Sequence, residues 1–215
     1  EIEPYAAGIR AIWSPNTGIV DYLQVSYALA GDIQVMGGEI VTTCQVTGLE
    51  RAGNETRIML RGKEPISARS VITCAGLHSD RIAGHTGAGM AQVRIVPFRG
   101  DYYALKLEHR HRVRGLIYPV PDPGFPFLGV HYTRTMSGEV WAGPNAVLAF
   151  AREGYRRFDV NLRDLWDVLS FAGFWKLAGR YWRMGITEFY RDYVKAAYLQ
   201  EMRRYMPSIS GKDVV

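Results

Sequence analysis

The sequence predicts an α/β (α+β) fold: an α/β unit containing a β-meander, then an antiparallel sheet with helices. Three observations predict it. A run of helical period closes on Gly37-Gly38, β-type segments lead to a β-branched run ending in Ala75-Gly76, and beyond Gly89 long strand-like segments give way to aromatic-rich helices. With 215 residues, 47% hydrophobic and 22% charged, the chain has an ordinary globular composition and can bury a sizeable core in one or two domains.

The first helix is expected after Asp21, which with Gln24 forms a capping pattern; Tyr22, Val25, Leu29, Ile33 and Met36 then recur near helical spacing. Glu39 to Leu49 and Thr56 to Arg61 read as β segments joined by the turn-prone Arg51-Ala52-Gly53-Asn54, and Val71 to Cys74 reads as a further strand. At the end of that run Ala75 and Gly76 strip the backbone of side-chain bulk, which invites close approach by a ligand or a tight strand-to-helix turn. VRIVPFRGDYYALKL and RVRGLIYPV read as long strands bridged by a charged loop, Glu108 to Arg112, and HYTRT and EVWAGP as a hairpin around Met136-Ser137-Gly138. Asn161 is an N-cap with Asp164 at N3. Leu162, Leu165, Trp166 and Leu169 form one helical face, and Ile186, Phe189, Tyr190, Tyr193 and Ala197 another, with breaks expected at Gly179 and Gly185. Internal repeats and low-complexity stretches are absent from the sequence, which sets solenoids and disordered tails aside.

The net charge of +5 is not concentrated in a long Lys/Arg block. It fits an acidic substrate, and with no recognisable nucleic-acid module the expectation is no nucleic-acid partner. His109 and His111 lack a third ligand and sit among arginines, so a solvated loop is preferred to a metal site. Cys44 and Cys74 lie in apolar runs without redox or metal-ligand spacing, as buried reduced thiols of a cytoplasmic protein would. Asn54-Glu55-Thr56 matches a glycosylation sequon without a signal peptide to bring it into use, and no run approaches the roughly 18 apolar residues of a membrane span. FWKLAGRYWRMG, residues 174 to 185, interleaves aromatic and basic residues; it suits either peripheral contact with an anionic membrane or packing against the sheet. The start at Glu1 and the strand-like Asp213-Val214-Val215 end are what an internal fragment would show.

Five blocks carry a family resemblance: GIVDYLQV (18–25), VITCAGLHSDRIA (71–83), VPFRGDYYAL (96–105), IYPVPDPGFPFLGVHYTRT (117–135) and GPNAVLAFAREGY (143–155). In this order, over nearly the whole chain, they resemble the L-2-hydroxyglutarate dehydrogenase/oxidase family, within the FAD-dependent D-amino-acid-oxidase-like flavoproteins. The resemblance implies a partial FAD-binding domain with a β-meander over 16–90, a substrate-binding domain over 91–185, a strand region over 1–15 contributing to the latter, and a helix over 186–215 returning toward the FAD domain. It also implies that Ala75 and Gly76 lie beside FAD and that Val46 presents its backbone to the adenine; small residues at a strand-to-helix junction suit a phosphate-rich cofactor. The family's GxGxxG is missing. Gly87-Ala88-Gly89 follows a helix and lacks a third glycine, so this chain alone is expected to bind FAD poorly or not at all and to be inactive.

The implied reaction passes the C2 hydride of a 2-hydroxy acid to the flavin while a base takes the hydroxyl proton, with oxygen or a quinone as the electron acceptor. His131 is the first candidate for a polar active-site group, against a satisfied structural histidine. Arg99 suits a substrate carboxylate, against an ion pair with Asp101. Tyr103 and Tyr118 are candidate phenolic donors or core aromatics, and Asn145 orients substrate or fixes a turn. The rival functions are an amine or glycerol-3-phosphate oxidase of the same fold, and a non-catalytic binding or interaction module.

Overall fold

The computed structural model describes residues 2–86, 93–121, 123–124 and 127–215. Gly87-Ala88-Gly89 lies outside the described residues, as do parts of the 117–135 block. The chain divides into two compact units, one of Glu1–Leu29, Phe98–Leu148 and Arg180–Val215, the other of Ala30–Pro97 and Ala149–Gly179. Helices α1 (Tyr22–Val35) and α4 (Ala172–Tyr193) each run from one unit into the other along the chain.

The smaller sheet is a meander in the second unit. β1 (Val46–Ala52) pairs antiparallel with β2 (Glu55–Leu60), which pairs with β3 (Lys63–Ala68). Gly53 and Gly62 make the two tight turns at φ 64° and 66°, where a side chain would be strained. β3 was not expected, because Pro65 interrupts a polar run; the edge position accommodates it. Two expectations need correction. The first strand begins at Val46 rather than Glu39, and Val71–Cys74 joins no ladder among the described residues, leaving Ile72 89% exposed. Ala75-Gly76 then opens a single 3-10 turn, Gly76–His78, followed by α2 (Ser79–Gly84). α3 (Leu162–Leu169) starts as expected: Asn161 Oδ1 accepts from the amides of Arg163 and Asp164 at 3.0 and 3.1 Å, relieving two of the helix's orphan donors.

The larger sheet belongs to the first unit and has the order β4-β7-β6-β5: β4 (Phe98–Ala104), β5 (Leu116–Ile117), β6 (His131–Arg134) and β7 (Val140–Leu148), all antiparallel. The hairpin around Met136-Ser137-Gly138 forms with Gly138 at φ 81°. The expected strand over RVRGLIYPV contracts to two residues, and the charged loop is a 3-10 turn over Leu107–Arg112. Here His109 meets Asp213 at 3.2 Å and Arg112 at 3.1 Å, while His111 packs edge-on against Tyr5. The C-terminus forms an isolated antiparallel bridge, Val214 to Leu105, rather than a strand, with Ala104 and Val215 exchanging backbone hydrogen bonds at 3.0 and 2.9 Å.

One face of this sheet is covered by α5 (Lys195–Arg203) and by α4 from residue 180 on. Tyr132, Val140 and Ala142 pack with Tyr198, Leu199, Met202, Met206 and Leu105 as the core, each large side chain contributing about 1.5–3 kcal/mol by its burial. Residues 186–215, expected to lead back toward the FAD-domain portion, therefore pack within the unit that holds the four-stranded sheet. α4 is two helical stretches meeting at a kink at Tyr181, two residues beyond Gly179; no break falls at Gly185, and a further one comes at Val194 before α5. Cys74 is exposed and Cys44 half-buried, not buried as expected, because neither lies within a strand of the sheets. No helix among the described residues is long and apolar enough to cross a membrane.

Candidate functional site

In β7 the burial alternation slips: Val140 and Ala142 are buried, then Asn145 and Val147, opposite a register shift between Asp101 and Tyr103 in β4. This slip sorts the sequence-predicted residues onto two faces of the sheet. Arg99, Tyr103 and Asn145 turn toward the helices, whereas His131 and Tyr118 occupy the open face.

On the helix-covered face, Arg99 is only 9% exposed and donates to both carboxylate oxygens of Asp101 at 2.7 Å, with Asp192 at 3.6 Å. The Asp101 hydrogen bonds, outweighing burial, hold its guanidinium above the usual arginine range. Tyr103 packs edge-on against Tyr198 under the Lys195 ammonium. Asn145, wholly buried, donates from Nδ2 to the Glu188 carbonyl at 2.7 Å, and its Oδ1 has no partner among the described residues. Glu188 accepts from the Ala146 amide and from Arg191, yet burial wins and raises its carboxyl above the ordinary value. This face is structural in geometry: its charges are answered within the fold.

The open face is different. His131, opposite Gly143 in the ladder, is 7% exposed beneath two aromatic rings. Tyr118 stacks on it at 4.1 Å and 17°, and Tyr102 stands edge-on at 6.4 Å. Trp141 lies against Tyr102, and the Tyr118 hydroxyl bonds Thr133 Oγ1 at 3.1 Å. Gly143 makes the close packing possible, since a Cβ there would stand 2.6 Å from Tyr102 and 2.8 Å from the Asp101 carbonyl. His131 Nδ1 lies 3.0 Å from the Gly129 carbonyl. A carbonyl can only accept, so the neutral ring carries its proton on Nδ1 and presents an unprotonated Nε2. Burial, opposed by that hydrogen bond, holds the imidazole below its ordinary pKa. The result is a neutral, oriented base among aromatic walls.

Tyr118, Thr133 and Trp141 also border an open cleft of about 1160 Å³ in the same unit, whose other walls include Trp13, Arg114 and Arg134. The three carboxylates lining it are engaged: Glu3 accepts from the amides of Arg114 and Gly115, Asp21 from the amide of Leu23, and Glu139 from Arg110 and Trp141. Sequence reasoning missed Tyr102 and Trp141. Alternation held the signal for Tyr102, which as the neighbour of Tyr103 takes the opposite face of β4, whereas Trp141 is separated from Asn145 by the phase slip in β7.

In the second unit, Val46 is half-buried at the start of β1, pairs with Leu60 and adjoins a register shift before Gly48. Gly76 has φ 52°, and a Cβ built on it would meet nothing within 4 Å. Gly76 is exposed beside a half-buried Ala75 and faces open space where its Cβ would stand, which fits a ligand resting against it. Among the described residues no group of three or more His, Cys, Asp or Glu is placed to hold a metal.

A meander followed by a glycine turn, joined through the chain to an antiparallel sheet with one open aromatic face, fits a flavoprotein oxidoreductase. Residues 1–214 match the FAD dependent oxidoreductase (DAO) family, and the chain belongs to it. Within it, the chain is 49% identical over its whole length to "L-2-hydroxyglutarate dehydrogenase, mitochondrial" of Nematostella vectensis, covering 50% of that protein. It is also 45% identical to the L-2-hydroxyglutarate dehydrogenase of Indibacter alkaliphilus, covering 53% of it, and 45% identical to the mitochondrial one of Homo sapiens, covering 48%, each over 99% of this chain. The chain spans about half the length of the curated relatives it matches.

Proposed function

We propose that this chain is part of an FAD-dependent enzyme that oxidises L-2-hydroxyglutarate, or a closely related 2-hydroxy acid, to the 2-oxo acid. The observation that carries the proposal is the tautomer of His131, fixed by Gly129 on the open face of a sheet whose sequence is so similar to the L-2-hydroxyglutarate dehydrogenases. FAD, when bound, supplies the two-electron acceptor for the C2 hydride.

The chain's own residues do the rest. Nε2 of His131 takes the hydroxyl proton, Tyr118 and Tyr102 exclude water around it, and the Tyr118 and Thr133 hydroxyls offer hydrogen bonds to the substrate's oxygens. Ala75, Gly76 and Val46 form this chain's share of the FAD site. Arg99, Tyr103 and Asn145 act from the covered face, keeping β4 and β7 in register with α4 and α5 so that the open face holds its shape. Of the 16–90 span, the part from Ala30 on lies in the unit that carries Val46, Ala75 and Gly76 and supplies cofactor contacts, while 16–29 belong to the unit of the four-stranded sheet, which supplies substrate contacts.

Oxygen or a quinone reoxidises the flavin. For a quinone, peripheral membrane contact is supported by α4, where Trp182, Ile186, Tyr190 and Tyr193 recur at helical spacing and are all more than half exposed, beside Arg180 and Arg183. Two unpaired cysteines suit a reducing compartment, the cytoplasm in the first instance; "mitochondrial" in the names of animal relatives is said of those proteins.

The test is anaerobic addition of substrate to a full-length enzyme containing this chain, read by visible absorbance. Flavin bleaching by L-2-hydroxyglutarate and not by the D-enantiomer, glycine or glycerol 3-phosphate supports the proposal. Bleaching by glycine or glycerol 3-phosphate alone moves the assignment to an amine or glycerol-3-phosphate oxidase.

A further inference from the structure

Asp80, four residues beyond Gly76, is the centre of a closed ionic lattice in the second unit. Arg152 reaches it with both Nη atoms, one at 2.7 Å, and Nη1 also donates to the Leu77 carbonyl at 2.5 Å. Asp80 accepts in addition from the amides of Ile95 at 2.9 Å and Arg81 at 2.8 Å. The Arg152 amide donates to Asp164, whose other oxygen meets Arg81, and Arg81 also reaches Asp167 at 2.7 Å. Side-chain exposure is 3% for Arg152 and 6% for Asp80, so the pair is desolvated and its hydrogen bonds are correspondingly strong. Burial alone would raise the Asp80 carboxyl; the Arg152, Ile95 and Arg81 hydrogen bonds overcome it and leave the carboxyl below its ordinary value.

The placement of this lattice is more specific than stability requires. A single guanidinium ties the side chain of Asp80, in α2, to the backbone of Leu77, the middle residue of the 3-10 turn that begins at Gly76 in its left-handed conformation. That turn has neither a side-chain cap nor a buried residue of its own. Arg152 itself lies four residues past the end of β7, on the segment that enters this unit from the four-stranded sheet.

We propose that Arg152 is a positioning residue for the cofactor: through Asp80 and the Leu77 carbonyl it fixes the Gly76 turn in the shape that receives FAD. This rests on the reading that Ala75-Gly76 lies against FAD. Lysine at 152 keeps the charge beside Asp80 but cannot serve two carboxylate oxygens and a carbonyl from one planar fork.

The experiment uses a full-length enzyme containing this chain, stripped of flavin, and titrates FAD by flavin fluorescence while recording the spectrum of the bound cofactor and the melting temperature of the apoprotein. Variants are Arg152→Lys, Asp167→Asn and Gly76→Val. Arg152→Lys is expected to weaken FAD binding about 10- to 100-fold, the worth of a lost charged hydrogen bond, and to shift the flavin bands. Asp167→Asn, which leaves Arg81 paired with Asp164, is expected to lower the melting temperature while leaving FAD affinity within about twofold. If FAD affinity in the two variants falls only in proportion to lost stability, or Arg152→Lys binds FAD like the parent, the positioning role is overturned. Gly76→Val distinguishes the two levels: a folded variant with unchanged FAD affinity removes the cofactor from Gly76 and overturns both readings, whereas weakened binding there with a parental Arg152→Lys overturns the positioning role alone.

Discussion

The ring of Tyr118 lies stacked on His131, 4.1 Å between centroids, with Nδ1 of the histidine held by the Gly129 carbonyl two residues before it. Burial, to which that ring contributes by covering one face of the imidazole, is the main cause of its lowered pKa. The sign for activity follows: a base whose pKa is depressed is already neutral above its lowered value, so the acidic limb of kcat/KM falls below the ordinary histidine value of about 6.5 and activity is level through pH 7. Tyr118→Ala rehydrates the imidazole and moves the limb up toward pH 6.5; Tyr118→Phe keeps the stack and leaves it in place. A pH–rate profile of the three proteins decides, and a limb unmoved by Tyr118→Ala would detach the histidine from the rate.

Gly143 has no room for a side chain. Gly143→Ala forces its Cβ against the Asp101 carbonyl, the Tyr102 ring and the Tyr198 hydroxyl, all within 2.8 Å, and backbone cannot yield as a flexible side chain does. The expected loss is about 1–3 kcal/mol, as for other overpacked sites, with a change in near-ultraviolet dichroism from the displaced Tyr102. Denaturant unfolding measures it; a variant as stable as the parent would mean that the β4–β7 packing is looser than described.

Asp80 and Asp164 both hold their protons less tightly than ordinary carboxyls despite burial, because Arg152, Arg81 and backbone amides favour the anions. A depressed carboxyl contributes stability above its unfolded pKa, about 3.9, and loses it as pH falls further through the folded value. The melting temperature is therefore expected to drop steeply below about pH 4, and Asp80→Asn to flatten that slope while lowering stability at neutral pH. An unchanged slope would assign acid sensitivity elsewhere.

The exposed aromatic residues of α4 lead to a further expectation. Trp182→Ala with Tyr190→Ala should release a full-length enzyme from anionic phosphatidylglycerol vesicles in a flotation assay, with bleaching by substrate intact. Equal flotation of variant and parent would leave α4 without a part in membrane contact.

What the sequence made legible was largely local. The Asn161 cap, the hairpin around Gly138 and the helix after Asp21 are written in neighbouring residues, and each forms. The family was legible in five ordered blocks. The faces of the sheet were legible only in part: in β4 plain alternation puts Arg99 and Tyr103 inward and Tyr102 outward, but in β7 the phase slips between Ala142 and Asn145, which no period in the sequence announces; it turned Asn145 inward while Trp141 stays outward. The Arg152–Asp80 pair joins positions 72 residues apart, and only the folded chain brings them together.

The central claim is that His131 on the open face takes the substrate's proton. Single-turnover reduction of the flavin by L-2-hydroxyglutarate, in a full-length enzyme containing this chain and in its His131→Asn variant, tests it most directly. The account predicts about 10²- to 10⁴-fold slower reduction in the variant, with the flavin spectrum and substrate affinity kept. Reduction at the parental rate would contradict it and return His131 to the core.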